Sequence, residues 1–262
     1  MAKSVILNGA ELAGFIEERQ FHELRSQPRT QKMVIVTDHS SPASEAYMRI
    51  KQKYGSDVGV RVEVMEVSDS PVEDIQKLNN DPEVGGVIVQ LPFREEKVSE
   101  SLINELDIRK DIDGLKLKSH FHEPTVTAIL WLIAGYNIDL NGKSIAVVGN
   151  GRLVGKPLVK ALDDLGHTYR VIDENASNVE GILRASDVII SGVGKPEIIK
   201  SEWIKPGTVV VDAGVASENG VLKGDVEEIA RERHDISITP IKGGVGPLTV
   251  CALFDNFLRA TV

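Results

Sequence analysis

Cysteine is almost missing from this chain. Cys251 stands alone among 262 residues, which excludes an internal disulfide framework and any metal site built from several thiolates. Long apolar runs are missing as well. None approaches the ~20 residues that cross a bilayer, so no membrane partner is expected. Positive charge is in deficit, with 30 Lys and Arg against 39 Asp and Glu, and the formal net charge of −9 argues against a nucleic-acid or anionic-membrane partner. Met1-Ala2-Lys3 leads into only a short apolar stretch, Ser4 to Leu7, which lacks the pattern of a signal peptide. A reducing, cytoplasmic setting is the expectation. His120, His122 and His167 show no metal-ligand spacing, and neither a fixed-period repeat nor a low-complexity tract is visible.

What is present is a core-forming chain. Hydrophobic residues make up 42%, and the length suits one large or two ordinary domains. Helical spacing runs over Glu11–Leu24, a short β-rich run over Met33–Thr37, and a capped helix over Glu45–Tyr54 behind Ser40-Ser41-Pro42-Ala43-Ser44. Val60–Val67 alternates as a strand, Pro71–Leu78 reads as a helix, and Gly86–Val89 reads as a buried strand ending at Gln90-Leu91-Pro92. This alternation predicts parallel βαβ units. The polar turn Lys110-Asp111-Ile112-Asp113-Gly114 marks the end of that region, and Thr125–Ala134 is a connecting helix.

A second alternating series follows. Strands are expected at 144–148, 168–172, 187–191, 207–212 and 236–239, with helices at 153–165 and 177–185. That pattern predicts a doubly wound parallel sheet. Pro240–Pro247 is a glycine-rich loop, and a last apolar helix is expected from Leu248 to Leu258. The strand at 144–148 runs into Gly149-Asn150-Gly151-Arg152-Leu153-Val154-Gly155, then Lys156-Pro157. A strand, a glycine turn and a helix start together form an anion site, because backbone N–H groups and the helix dipole converge there. The spacing Gly-x-Gly-x-x-x-Gly puts the third glycine one residue later than the usual dinucleotide fingerprint. Pro157 rules out a P-loop. Alone, the motif fits a dinucleotide site or a structural turn equally well.

Eight stretches in order then converge on one family. They are Pro42-Ala43-Ser44-x-x-Tyr47-x-x-x-Lys51, Val89-Gln90-Leu91-Pro92, Lys110–Gly114, Gly149–Pro157, Gly192-Val193-Gly194-Lys195-Pro196, Pro206-Gly207, Asp212-Ala213-Gly214 and Pro240–Thr249. The chain closely resembles the bifunctional methylenetetrahydrofolate dehydrogenase/methenyltetrahydrofolate cyclohydrolase family of one-carbon metabolism. The resemblance implies an α/β fold of two domains, a folate-binding domain at 1–118 plus 248–262 and a Rossmann-like NAD(P)-binding domain at 119–247. The C-terminal helix would return to the first domain, folate would lie in a cleft between the two, and the working unit would be a homodimer.

The resemblance also assigns residues. Tyr47 and Lys51, four apart on one helix, face the same way; spacing alone reads as a surface pair, whereas the family places Tyr47 against the folate rings and Lys51 beside the one-carbon unit. Gln90, at a strand's carboxyl end, would orient Lys51. Asp113, chosen by alignment over Asp111, would accept two hydrogen bonds from the pterin edge. Val89, Leu91, Pro92, Gly246 and Pro247 complete the implied folate site. The dinucleotide site comprises Gly149, Asn150, Gly151, Arg152, Val154, Gly155, Gly192, Val193 and Gly194, with Asp173 or Glu174 on the ribose. An acid there repels a 2′-phosphate, and Asn150 stands where members often have arginine, so NAD is favoured over the family's frequent NADP; Arg152, Lys156 and Arg170 are the cations that would reverse this. No metal is expected.

Two departures bear on activity. The segment between Gly114 and Thr125 is short, and His122-Glu123-Pro124-Thr125 replaces the family's Pro-Cys-Thr-Pro run; Lys242 replaces a usual proline. A protein with one activity, or a non-catalytic folate or dinucleotide binder, are the competing readings. Retention of Tyr47, Lys51, Gln90 and Asp113 together argues against the second. A Rossmann dehydrogenase for some other small substrate leaves the first-domain motifs unexplained.

Overall fold

The computed structural model describes residues 4–218 and 221–261. These form two compact units. One comprises Phe15–Pro124 with the chain from Val250 onward, and the other the described residues through Gly14 with Thr125–Thr249.

The first unit is built on three parallel strands in the order β2-β1-β3, with β1 at Lys32–Thr37, β2 at Val62–Glu66 and β3 at Val84–Val89. β1 reads Lys-Met-Val-Ile-Val-Thr and is buried from Met33 onward. That continuous β-branched run is what a strand flanked on both sides in a parallel sheet requires. The helices are α1 (Gly9–Ser26), α2 (Pro42–Val58), α3 (Pro71–Asn80) and α4 (Glu96–Glu105). Periodicity did not anticipate α4, although Val98, Leu102, Ile103 and Leu106 make an apolar face that packs into the core with Ile75 and Leu78. Its flanking Glu and Ser residues masked that stripe.

The last helix, α8 (Val245–Ala260), starts earlier than expected. Val245, Gly246 and Pro247 are its first turn, where proline's missing N–H is not needed. From Val250 it packs in this first unit, as the C-terminal return anticipated from the sequence. Phe254 and Phe257 are fully buried, each contributing about 1.5–3 kcal/mol by area. The Asn256 side-chain amide donates to the Ile112 carbonyl at 2.9 Å and to the His122 carbonyl at 3.0 Å.

The second unit contains α5 (Pro124–Gly135), β4 (Ile145–Val148), α6 (Gly155–Asp164), β5 (Tyr169–Ile172), α7 (Val179–Ala185), β6 (Val188–Ser191), β7 (Val209–Asp212) and β10 (Ser237–Ile238). The five strands are parallel in the order β10-β7-β6-β4-β5, a doubly wound sheet whose direction of winding reverses between β4 and β6. A short antiparallel pair, β8 (Ala216–Glu218) and β9 (Val221–Lys223), was not anticipated. Its strands are too brief for periodicity to register, though Asn219-Gly220 in the sequence is a hairpin signal.

The N-terminal segment, expected with residues 1–118, groups here with the second unit. The Leu7 N–H donates to the Ile238 carbonyl at 3.0 Å and the Ile238 N–H donates to Val5 at 3.2 Å, so this segment lies alongside β10. A lone edge strand leaves its backbone groups open, and this pairing occupies them.

Candidate active site

α2 carries a stripe that points inward. Ser44, Met48, Tyr54 and Val58 are buried along it, and Lys51 occupies the same register. A lysine on the apolar face of a helix needs a partner, and Lys51 Nζ donates to Gln90 Oε1 at 2.8 Å. Gln90 follows β3 directly, and its own amide is held by the Leu91 carbonyl at 3.1 Å. The loop entering α2 is stitched to the same strand end: Ser44 Oγ donates to the Leu91 carbonyl at 3.1 Å and Ser40 Oγ to the Pro92 carbonyl at 3.3 Å. Burial pushes the Lys51 pKa down, and the charge of Asp113 opposes that shift. Tyr47, one turn earlier, is 48% exposed. Val89 is buried in the core, and Leu91 packs against that core.

The two turn carboxylates divide their work. Asp111 is buried and spent on the turn: Oδ1 accepts the Leu115 N–H at 3.1 Å and Oδ2 accepts the Lys116 N–H at 2.9 Å. Asp113 receives no side-chain hydrogen bond from any of the described residues. Burial pushes its pKa up; Lys51 opposes the shift and Asp111 adds to it. A half-buried carboxylate with both oxygens open, electrostatically coupled to a lysine, is a prepared acceptor. Asp111→Ala therefore leaves two backbone N–H groups unpaired and lowers stability by roughly 2–3 kcal/mol. Thermal melts check this, with folate binding per folded molecule expected to stay near wild type.

In the second unit the chain leaves β4 through Gly149 at φ 101, a conformation that side chains rarely adopt. A Cβ on Gly155 would lie 2.2 Å from the Gly149 carbonyl oxygen, so only glycine lets α6 start this close to the strand. Asn150, Gly151 and Arg152 are exposed above this turn, and α6 opens at Val154 with no side-chain cap. Within its first turn the Lys156 N–H donates to the Gly151 carbonyl at 3.0 Å and Pro157 has no N–H, so the backbone offered to an anion is that of the exposed glycine turn ahead of the helix. The turn after β6 meets it: Val193 Cγ2 would be 2.9 Å from a Cβ on Gly149, and Val154 Cγ1 would be 2.5 Å from one on Gly192. Both turns sit at the carboxyl edge where the winding reverses, the place where an open α/β sheet takes a nucleotide. The cradle fits a dinucleotide pyrophosphate.

Comparison with known proteins decides the family. Residues 123–262 match the model described as tetrahydrofolate dehydrogenase/cyclohydrolase, NAD(P)-binding domain, and residues 7–113 match the catalytic domain of the same family. The chain belongs to this tetrahydrofolate dehydrogenase/cyclohydrolase family. The bifunctional protein FolD of Acetivibrio thermocellus is 33% identical, with 97% of this chain and 96% of that protein aligned. That of Lactobacillus acidophilus is 31% identical over 98% and 96%. The crystal structure of the bifunctional FolD dehydrogenase/cyclohydrolase of Campylobacter jejuni superposes with a TM-score of 0.90 at 27% identity, covering 98% of each chain.

As a dehydrogenase/cyclohydrolase, the chain has a catalytic region and an NAD(P)-binding region. Lys51, Gln90 and Asp113 fall in the first, while Gly246 and Pro247 lie in the second compact unit. Asp173 follows β5, half-buried, with Oδ1 accepting the Asn175 N–H at 3.0 Å; Glu174 is exposed. Among the described residues no group of three potential ligands could hold a metal, and no helix is long and apolar enough to cross a membrane. Asp225, unremarked in the sequence, is the buried acid that holds the turn after β6. No spacing rule marks it, because its partners come from β6 and the turn that follows.

Proposed function

We propose that this chain oxidises methylene-tetrahydrofolate to methenyl-tetrahydrofolate and then hydrolyses that product to 10-formyl-tetrahydrofolate. The observation that carries the reading is the Lys51–Gln90 hydrogen bond beside the open carboxylate of Asp113. Asp113 binds the amino-pyrimidinone edge of the pterin through both oxygens, giving planar specificity. Tyr47 offers an exposed ring to the folate. NAD(P)+ supplies the hydride acceptor. The oxidation releases no proton, so the residues at this step position flat ligands and need little acid–base chemistry. Hydrolysis does move protons. Lys51, desolvated and held by Gln90, polarises the reacting centre and exchanges a proton with the incoming water.

The direct test follows reduced dinucleotide and the methenyl absorbance together, with methylene-tetrahydrofolate as substrate. Reduced dinucleotide without methenyl build-up is expected. Accumulating methenyl product would mean that the 115–128 segment has cost the second activity, and no reduction with either dinucleotide would reject the proposal.

NAD is the preferred form. Asp173 directly follows β5, where its free oxygen suits a ribose hydroxyl and repels a 2′-phosphate. Asp173→Ala narrows the NAD-to-NADP ratio of kcat/KM by roughly tenfold, equivalent to about 1.4 kcal/mol. A wild-type enzyme strongly preferring NADP would reverse the assignment to Arg152, Lys156 or Arg170. The working unit is a cytoplasmic homodimer, a state that sedimentation velocity reads directly.

A further inference from the structure

Behind the turn that leaves β6 lies a polar cluster that the two reactions do not directly use. Asp225 is 0% exposed. Its Oδ2 accepts Ser191 Oγ–H at 2.5 Å and the Val193 N–H at 2.7 Å, and its Oδ1 accepts the Lys195 N–H at 2.9 Å. All three donors belong to one five-residue stretch. Asp225 is itself held from behind. Asp212 accepts the Asp225 N–H at 3.2 Å, the Val226 N–H at 3.1 Å and Arg231 Nη2 at 2.7 Å, while Arg231 Nη1 reaches the Val226 carbonyl at 3.0 Å. Gly214 closes the site from the other side, since a Cβ there would lie 2.1 Å from Asp225 Cγ.

A buried carboxylate is an expensive way to secure a turn, because its desolvation must be offset by several well-formed bonds. Here every bond runs to the segment that forms one wall of the crevice. The position of that wall along the dinucleotide follows from the sheet. The pyrophosphate belongs at the β4–α6 turn and the adenosine ribose at the end of β5. β6 flanks β4 on the opposite side, so the turn at 192–195 underlies the nicotinamide half.

We infer that Asp225 is the positioning residue for the nicotinamide ring, acting through the backbone of Val193 and Lys195. The inference rests on the proposed function for its reaction. It separates the two activities, because hydrolysis of methenyl-tetrahydrofolate uses no dinucleotide.

The test is Asp225→Asn, which keeps the shape but turns an NH2 towards a backbone N–H. Titration of the ligand-free protein with NAD+ and NADH should show Kd raised at least tenfold. Dehydrogenase kcat/KM for the dinucleotide should fall in step, with cyclohydrolase within twofold of wild type. Ser191→Ala keeps both backbone bonds and should raise the same Kd only two- to fivefold. If Asp225→Asn does not fold, seen as loss of cooperative melting with both activities, Ser191→Ala decides alone, and an unchanged Kd overturns the inference. Wild-type dinucleotide affinity in a folded Asp225→Asn overturns it too, as does an equal fall in both activities. A wild type that performs neither reaction would reject the proposed function, while the Kd comparison would still judge the role of Asp225.

Discussion

Lys51→Met lowers hydrolysis of methenyl-tetrahydrofolate by about 100- to 10,000-fold, the range typical for loss of a positioned proton-transfer group. The substitution keeps the length of the side chain on the inward stripe of α2 and removes only the amine that donates to Gln90. The dehydrogenase step falls less, because hydride transfer requires positioning rather than proton movement. Stopped assays on methenyl and methylene substrates separate the two effects. The pH profile supplies a second reading. Burial pushes the Lys51 pKa down, so the neutral amine accumulates at lower pH than in an ordinary lysine. Hydrolysis therefore rises with pH through a midpoint below the usual lysine range. Asp113→Asn removes the charge that holds this pKa up, and the midpoint of kcat moves to still lower pH. Retention of full cyclohydrolase activity in Lys51→Met, or a midpoint at the ordinary lysine value, would refute the role.

Asp113→Ala raises KM for the folate and lowers kcat/KM for both reactions by about 100-fold or more. Two hydrogen bonds to a charged acceptor contribute about 1.5–3 kcal/mol each, and each 1.4 kcal/mol is tenfold. Dinucleotide affinity stays unchanged, since the substitution lies in the other unit. The pH dependence has a definite sign. Burial raises the Asp113 pKa, so its carboxylate is protonated and folate affinity is lost at higher pH than for a free aspartate. Asp111→Ala is the control, because that carboxylate is consumed by Leu115 and Lys116 and its loss shows in stability. A folate KM unmoved by Asp113→Ala would mean the pterin edge is bound elsewhere.

Much of this molecule was legible in the residues themselves. The alternation of β-branched runs with helical stripes foretold both parallel sheets, and Gly149 and Gly155 marked the strand-to-helix turn. Tyr47, Lys51, Gln90 and Asp113 could be put forward as candidates because they lie in motifs that recur in one order. These signals are local: a strand's period, a glycine's missing Cβ and a four-residue helical step are properties of short stretches.

Other features needed the tertiary structure. α4 stayed hidden because its apolar face becomes plain only against Ile75 and Leu78. The N-terminal segment could join β10 only after the chain had folded round to bring Ile238 beside it. Nothing in Asp-Ile-Asp-Gly distinguishes the two acids chemically; the backbone turn gives Asp111 its donors and leaves Asp113 open. Asp225 acquires meaning only from Ser191, Val193 and Lys195. The sequence by itself determined the family, the two parallel sheets and most of their helices, and it supplied the candidates for the chemistry. The tertiary structure decided which of those residues are desolvated, which are already satisfied and which remain open to a ligand, because a side chain's solvation and partners come from groups distant along the chain.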